Sequence, residues 1–457
     1  MIILDERLKK TLEEHLKKHK KEVDTYEVPV SIYFMVGSFF EQYDIQVAHY
    51  IRCPLPKNKG PKDTNSLAIR HLETNFILSY ANQILRMLPG GVDIVGILII
   101  SDEHTTFPPL KSLLLDSLQH IARLSTTATT YDLFEYITHM ALIQIDELTG
   151  NDQSFLFEIG EKAGSCEPTK FQYEKLEWAS IVSRVGGRIS DHLPLKNDDL
   201  GKDLSEMMIP WAERLLECDF ILMDGAVRKG VDDLNTDLVK NKKTSFEIAL
   251  VVKSECDDHC ETTLTPESAS NWHDYVFDVE IRAAIPIKSK VDDAFIAIKK
   301  HIYRNFWARN VFLCDLMSGN QKKAVEDGQE HFVVSISAIA ENGEVYQMPR
   351  PATTTLPYHS SILFSDWLFE ADSIEDSQKK IKEMLDIDVS IEHVDDGWER
   401  SLESAELDQV RAPGVVPDHL PLITSIHEKA SNRRFYIIIF VSIIMGIISW
   451  IMYKMMA

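Results

Sequence analysis

The sequence predicts a mixed chain: an α/β unit, then an α+β unit, then one membrane-spanning helix near the carboxyl end. Three observations carry this expectation. Across the first 180 residues helical and strand periodicities alternate around one nearly continuous apolar run, Val92 to Ile100. Between about 200 and 390, short strand-like stretches flank a cleanly striped helix, Val291 to Trp307. Phe435 to Tyr453 is nineteen residues without a charge. As a helix rising ~1.5 Å per residue it reaches ~28 Å, the hydrocarbon thickness of a thin bilayer.

Taken in order, residues 5–21 read as an amphipathic helix, with Leu8, Leu12 and Leu16 every fourth residue and lysines opposite. The lysine face is expected to be solvated, the alternative being a membrane or partner surface. Val28 to Val36 and Tyr43 to Arg52 form a strand pair joined through Gly37 to Gln42 and ended by Pro54 and Pro56. Lys57 to Thr64 is a charged loop. Helical spacing returns over Ala68 to Met87 and stops at Leu88-Pro89-Gly90-Gly91, a turn and not a phosphate cradle, because a strand follows it. Val92 to Ile100 lacks the alternation of a half-solvated strand and belongs at the centre of a sheet. A helix over Lys111 to Leu124 and a hairpin, His139 to Ile145 with Gln153 to Glu158, complete a unit placed at residues 1–180.

The second unit, residues 181–390, is expected to contain a helix Met207 to Leu216 and strands near Phe220 to Met223, Phe246 to Val252 and Val276 to Pro286. The helix Val291 to Trp307 follows, striped by Val291, Phe295, Ile298, Ile302 and Phe306. Strands His331 to Ile339 and Ser361 to Phe369 and a helix Glu375 to Leu385 finish it. Residues 391–432 are acidic, carry Gly and Pro and show no heptads, the composition of a flexible linker. The missing a/d seam argues against a membrane-fusion protein.

The anchor is placed at residues 433–454. Phe435, Ile444, Gly446, Trp450 and Tyr453 mark the span, and Lys429, Arg433 and Arg434 before it outweigh Lys454 after it. That charge bias keeps the body in the cytosol. Met1 to Lys10 offers no apolar stretch behind a basic stub, so a secretory signal is not expected there. Six irregularly spaced cysteines fit reduced thiols. With 71 acids against 48 lysines and arginines, net charge -23, the chain is not built for nucleic acid.

Motifs that carry chemistry are missing. The nucleophile elbow, the P-loop, the dinucleotide fingerprint and His-Glu-x-x-His do not occur. Cys256, His259 and Cys260 lack a second ligand pair and read as a surface loop. No catalytic residue, no metal ligand and no cofactor is therefore assigned.

Element order in residues 5–158 resembles the MPN/JAMM fold of deubiquitinase-like metalloproteases. In active members the central strand leads into His-x-His, then seven residues on Ser-x-x-Asp, with a Glu on an early strand. Here the positions read Asp102-Glu103-His104, Ser112 and Leu115, and Val30 to Val36 holds no Glu. Zinc hydrolysis needs three protein ligands and a general base. The resemblance thus implies a catalytically silent MPN-like scaffold that pairs with a protein partner; the alternative is a divergent membrane-anchored MPN/JAMM-type isopeptidase centred on His104.

Three blocks resemble one family along most of the chain. They are Gln83 to Ile100, with its most specific string Arg86-Met87-Leu88-Pro89-Gly90-Gly91; Arg282-Ala-Ala-Ile running into the helix Val291 to Trp307; and Leu356-Pro357-Tyr358 through Glu383-Met384-Leu385-Asp386. With the terminal span they resemble the odorant response abnormal protein 4 family of tail-anchored proteins. The resemblance implies a non-enzymatic accessory factor at the endoplasmic reticulum that helps a subset of odorant or chemosensory seven-helix receptors fold, mature and reach sensory cilia. It also implies partnership with the ubiquitin-fold-modifier protease.

Overall fold

The computed structural model describes residues 1–26, 30–40, 44–54, 73–102, 107–126, 137–160, 165–192, 221–234, 244–250, 272–326, 349–369, 372–397 and 399. Fifteen strands and five α-helices are described, so the mixed α/β class holds. The larger sheet is built from β1 (Ile2–Asp5), β2 (Val30–Phe40), β3 (Asp44–Cys53), β4 (Asp93–Ser101), β5 (His139–Asp146), β6 (Asp152–Glu158), β7 (Cys166–Thr169) and β8 (Phe171–Glu174) in the order β7-β6-β5-β4-β2-β3-β1-β8. Because β7 and β8 are separated only by Lys170 yet lie at opposite ends of that order, one extended segment closes the sheet on itself. Closure leaves few free edges.

Every residue of β4 is buried, as its unbroken apolar run requires, and it pairs antiparallel with β2 and parallel with β5. The two faces are covered differently. Helix α1 (Leu8–Tyr26) sets Leu8 and Leu12 against Ile2, Leu4, Tyr33, Val47 and Tyr50 on one face. Helices α2 (Thr74–Met87) and α3 (Phe107–Thr126) cover the other, through Ile77, Ile84, Leu114 and Leu118. The expected first helix therefore begins three residues late. Residues 2–5, too short to show a period, are instead a strand held parallel between β3 and β8.

A second sheet runs β11-β10-β12-β9-β13, with β9 (Trp178–His192), β10 (Ile221–Met223), β11 (Ala226–Val227), β12 (Ser245–Leu250) and β13 (Trp272–Pro286). β9 and β13 pair antiparallel along their full lengths, Trp178 opposite Pro286 and His192 opposite Trp272. The boundary expected at residue 180 falls inside β9. Helix α4 (Val291–Glu326) packs along β13, longer than the stripe to Trp307 foretold. A hairpin of β14 (Arg350–Leu356) and β15 (His359–Leu368) follows, then α5 (Ile374–Leu385). Ser373 caps α5: its hydroxyl accepts from the Asp376 amide and the Asp376 carboxylate returns the bond. One apolar cluster holds both sheets, running from Ile32 and Ile97 through Ile84, Trp178 and Ala284 to Phe364, Leu385 and Val394.

The linker expected from residue 391 does not start there. Ile391–His393 is a 3₁₀ turn, Val394 is buried, and Asp395 exchanges backbone bonds with Thr353 at 2.7 and 2.8 Å. Apolar Val394 and the free side of β14 give this stretch something to bind, which its acidic composition hid. The expected helix Met207 to Leu216, the strand His331 to Ile339, the Cys256 to Cys260 loop and the rest of the linker lie outside the described residues.

Candidate functional site

Arg86 to Gly91 joins the two sheets. Between the end of α2 and the start of β4 the chain must turn within a crowded space, and glycine is needed twice. Gly91 has φ +80°, and a β-carbon there would overlap the Ala284 carbonyl oxygen and press on Ile285 Cγ2 at 2.7 Å. A β-carbon on Gly90 would overlap the Ala297 carbonyl oxygen and sit 2.7 Å from His301 Cβ. The loop thus lies against the backbone of both β13 and α4. The Gly90 amide donates to His301 Nδ1 at 2.8 Å, and the Gly90 carbonyl accepts from the Ala284 amide at 2.9 Å. Burial pushes His301 down to about 3, so its ring is neutral and Nδ1 is free to accept.

Beside the loop stands a charge cluster. Arg304 donates to the carbonyls of Val92, at 2.8 Å, and Pro89, at 3.3 Å, and also reaches Asp93. Lys300 meets the other Asp93 oxygen at 2.7 Å, and the Ser125 hydroxyl donates to Asp93 at 3.0 Å. Burial alone would raise the Asp93 carboxyl, but Arg304 and Lys300 outweigh it and hold it below the usual carboxylate range. From the other end of the motif a column of side chains leads outward. Arg86 lies over the Phe312 ring at 5.7 Å, Phe312 packs on Trp367 at 6.4 Å, and Arg309 covers Trp367 at 5.1 Å. Arg309 then grips Glu399, at 2.5 and 2.6 Å. The Trp367 indole donates to the Arg86 carbonyl at 3.4 Å.

All three blocks singled out in the sequence meet at or near this junction. Leu88, Pro89 and Gly90 are buried. The string is therefore a fastening between distant segments and not an exposed binding loop. Lys300, His301, Arg304, Trp367 and the Arg309–Glu399 pair were missed. The polar ridge Lys300–Arg304, one turn apart beside the apolar stripe of α4, and the acid Asp93 heading an apolar strand were the available signals.

Zinc chemistry does not fit the residues present. Ser112 is exposed on α3, Leu115 packs half-buried where an acid is needed, and β2 supplies no Glu. His104 lies outside the described residues. Among the described residues no group of three His, Cys, Asp or Glu is placed to hold a metal ion. Ser31, His19 and Glu147 do form a hydrolase-like series, His19 Nδ1 lying 2.8 Å from the Ser31 hydroxyl and Nε2 2.8 Å from Glu147. Ser31 is only 1 % exposed on a central strand, beyond any substrate's reach, and the series pins α1 to the sheet. An open groove of about 310 Å³ between α2 and α3 is walled by Asn75, Ser79, Asn82, His120 and Arg123, with no carboxylate among its lining residues; His120 faces Asp116 one turn back at 3.6 Å.

Lys429, Arg433, Arg434, Phe435, Ile444, Gly446, Trp450 and Tyr453 lie outside the described residues. Among the described residues no helix is long and apolar enough to cross a membrane.

Comparison with known proteins matches residues 33–396 to the family described as ODR4-like, odorant response abnormal 4-like. Odorant response abnormal protein 4 of Caenorhabditis elegans is 34 % identical over 418 residues, 90 % of this chain and 84 % of that protein. Protein odr-4 homolog of Gallus gallus is 22 % identical over 384 residues, 79 % of this chain and 80 % of that protein. Among solved structures, that of UfSP from C. elegans is similar with a TM-score of 0.40 and 11 % identity, covering 85 % of this chain and 56 % of that one. The matched span begins in β2 and ends at residue 396, within the segment clamped against β14, and takes in the junction apart from Glu399: the chain belongs to the odorant response abnormal 4-like family.

Proposed function

We propose that this protein is a non-enzymatic accessory factor for the folding, maturation and trafficking of a subset of odorant or chemosensory seven-helix receptors to sensory cilia. The family match over residues 33–396 carries the reading, because the relatives are named for odorant response. Phe435 to Tyr453 would hold the protein in the endoplasmic reticulum membrane with its body in the cytosol, as the charge-free span and the Lys429, Arg433 and Arg434 flank favour. The body would serve as a catalytically silent, MPN-like adaptor for the ubiquitin-fold-modifier protease. The buried, fastening character of the Arg86–Gly91 string supports a scaffold over a catalyst.

The test is the anchor. A charge at the bilayer centre costs about 2.5–3.5 kcal/mol, whereas an isoleucine there gains only ~0.5 kcal/mol. Ile444→Arg should release the protein into the aqueous fraction and leave client receptors in the cell body. Receptors that still reach cilia beside a soluble mutant would refute the reading.

A further inference from the structure

The outer face of α1 carries a ridge the fold does not use. Leu8, Leu12 and His19 are buried against the large sheet, so the helix has no apolar face left to insert anywhere. On the opposite side Lys20 and Lys21 stand three and four residues after Lys17, and all three are exposed. Lys10 meets Glu14 at 3.9 Å and Lys18 meets Asp386 at 3.5 Å, but among the described residues Lys17, Lys20 and Lys21 have no ion-pair partner. The carboxylates of the helix's own middle, Glu13 and Glu14, lie one turn back, and Glu22 is taken by Arg52. Three uncommitted ammonium groups in a row are notable on a chain whose net charge is -23.

We propose that Lys17, Lys20 and Lys21 form the face this body turns towards an anionic bilayer. The proposal rests on the membrane attachment read above, which keeps the body near a lipid surface whatever its orientation. Charge complementarity chooses the occupant. An anionic leaflet repels a body of net charge -23 and attracts juxtaposed lysines within about a Debye length. The three ammonium groups stand exposed on a helix whose apolar residues pack on the sheet, and protein interfaces are depleted in lysine, so a diffuse charged plane fits them better than a shaped protein partner. Contact of this kind is peripheral, reversible and weakened by salt.

Full-length protein incorporated into phosphatidylcholine vesicles, with or without phosphatidylserine, tests this by acetylation of lysine amines and peptide mass analysis. Phosphatidylserine should reduce labelling of Lys17, Lys20 and Lys21 several-fold, 0.5 M salt (roughly a 4 Å screening length) should restore it, and exposed Lys175 and Lys382 should not respond. Equal labelling in both lipids overturns the proposal. So does protection in both, which would mark an acidic stretch of the chain itself as the occupant. Flotation with pure phosphatidylcholine reports the anchor separately: if it fails, flotation that appears only with phosphatidylserine and is lost in Lys17→Glu/Lys20→Glu/Lys21→Glu still supports the ridge, and flotation with neither lipid refutes it.

Discussion

Arg309 on α4 holds Glu399 through one guanidinium nitrogen that contacts both carboxylate oxygens, at 2.5 and 2.6 Å, with the two side chains 6 % and 9 % exposed. The pair, with the Thr353–Asp395 bonds, makes residues 391–397 and Glu399 part of the body. Breaking a buried pair from one side leaves an uncompensated charge and costs about 3–5 kcal/mol. Arg309→Ala should therefore cost about 3–5 kcal/mol. A chain ending after residue 390 loses this pair, buried Val394 and the Thr353–Asp395 bonds and should melt well below one ending after residue 399. Equal melting of the two truncations would show that the clamp contributes nothing.

The glycines of the junction separate crowding from backbone conformation. Gly91 and Gly150 share a positive φ, +80° and +72°, but a β-carbon on Gly150 would meet nothing within 4 Å. Gly150→Ala should therefore lose only the conformational preference, about 1–2 kcal/mol. Gly91→Ala adds overlap with Ala284, and Gly90→Ala, with no φ penalty, meets the α4 backbone directly. In urea unfolding Gly91→Ala should exceed Gly150→Ala by about 1–3 kcal/mol, and Gly90→Ala should cost about 1–3 kcal/mol relative to the unmutated protein. A Gly90→Ala protein as stable as the unmutated one would mean that the loop and α4 are not held together as described.

How much of this was legible follows from range. β4 was visible as an unbroken apolar run, and α2 and the first half of α4 because fourteen or more consecutive residues repeat one period. β7, with Cys166-Glu-Pro-Thr half exposed, and β14, with three threonines after a proline, carry too little pattern to announce a strand. β9 hides behind Gly186 and Gly187, and its evidence is the partner β13, eighty residues away. The Arg86–Gly91 string was legible as a string. Its role was not, since His301 and Arg304 lie more than 200 residues on and only the fold brings them to it. Residues 391–399 misled because net acidity says nothing of one buried valine and one waiting arginine.

His15 gives a pH prediction. It packs on Tyr33 with ring centres 4.5 Å apart, and its buried Nε2 has no hydrogen-bond partner. Burial pushes it down to about 4, and His49 likewise to about 4. An unfolded histidine titrates near ~6.5, so between these values the unfolded chain binds more protons. Their contribution is complete above about 6.5 and lost as pH falls towards 4. The urea midpoint should drop over that window. His15→Leu should be neutral or stabilising at pH 7.5, since an orphaned polar atom is removed, and should flatten the acid slope. An unchanged slope in that variant would take His15 out of the account.

Asp93 tests whether the charge cluster or the apolar contacts carry the junction. Its carboxylate faces two cations, Lys300 and Arg304, with side chains only 12 % and 11 % exposed. Asp93→Asn keeps the shape and can still accept the Ser125 hydroxyl, but leaves both cations without a counter-charge, a loss of about 3–5 kcal/mol. Adding Lys300→Met to Asp93→Asn removes one surplus charge and keeps the length of the side chain, so part of the loss should return. The held-down Asp93 carboxyl contributes stability above its ordinary value of 3.8 that is lost only as pH falls further, through its lower folded value. Between pH 7.5 and 5 the cost of Asp93→Asn should thus be constant, while the histidine contribution is already falling. Chemical unfolding at the two pH values distinguishes them, and a cost that vanished at pH 5 would assign the effect to a neighbouring histidine instead of the carboxylate.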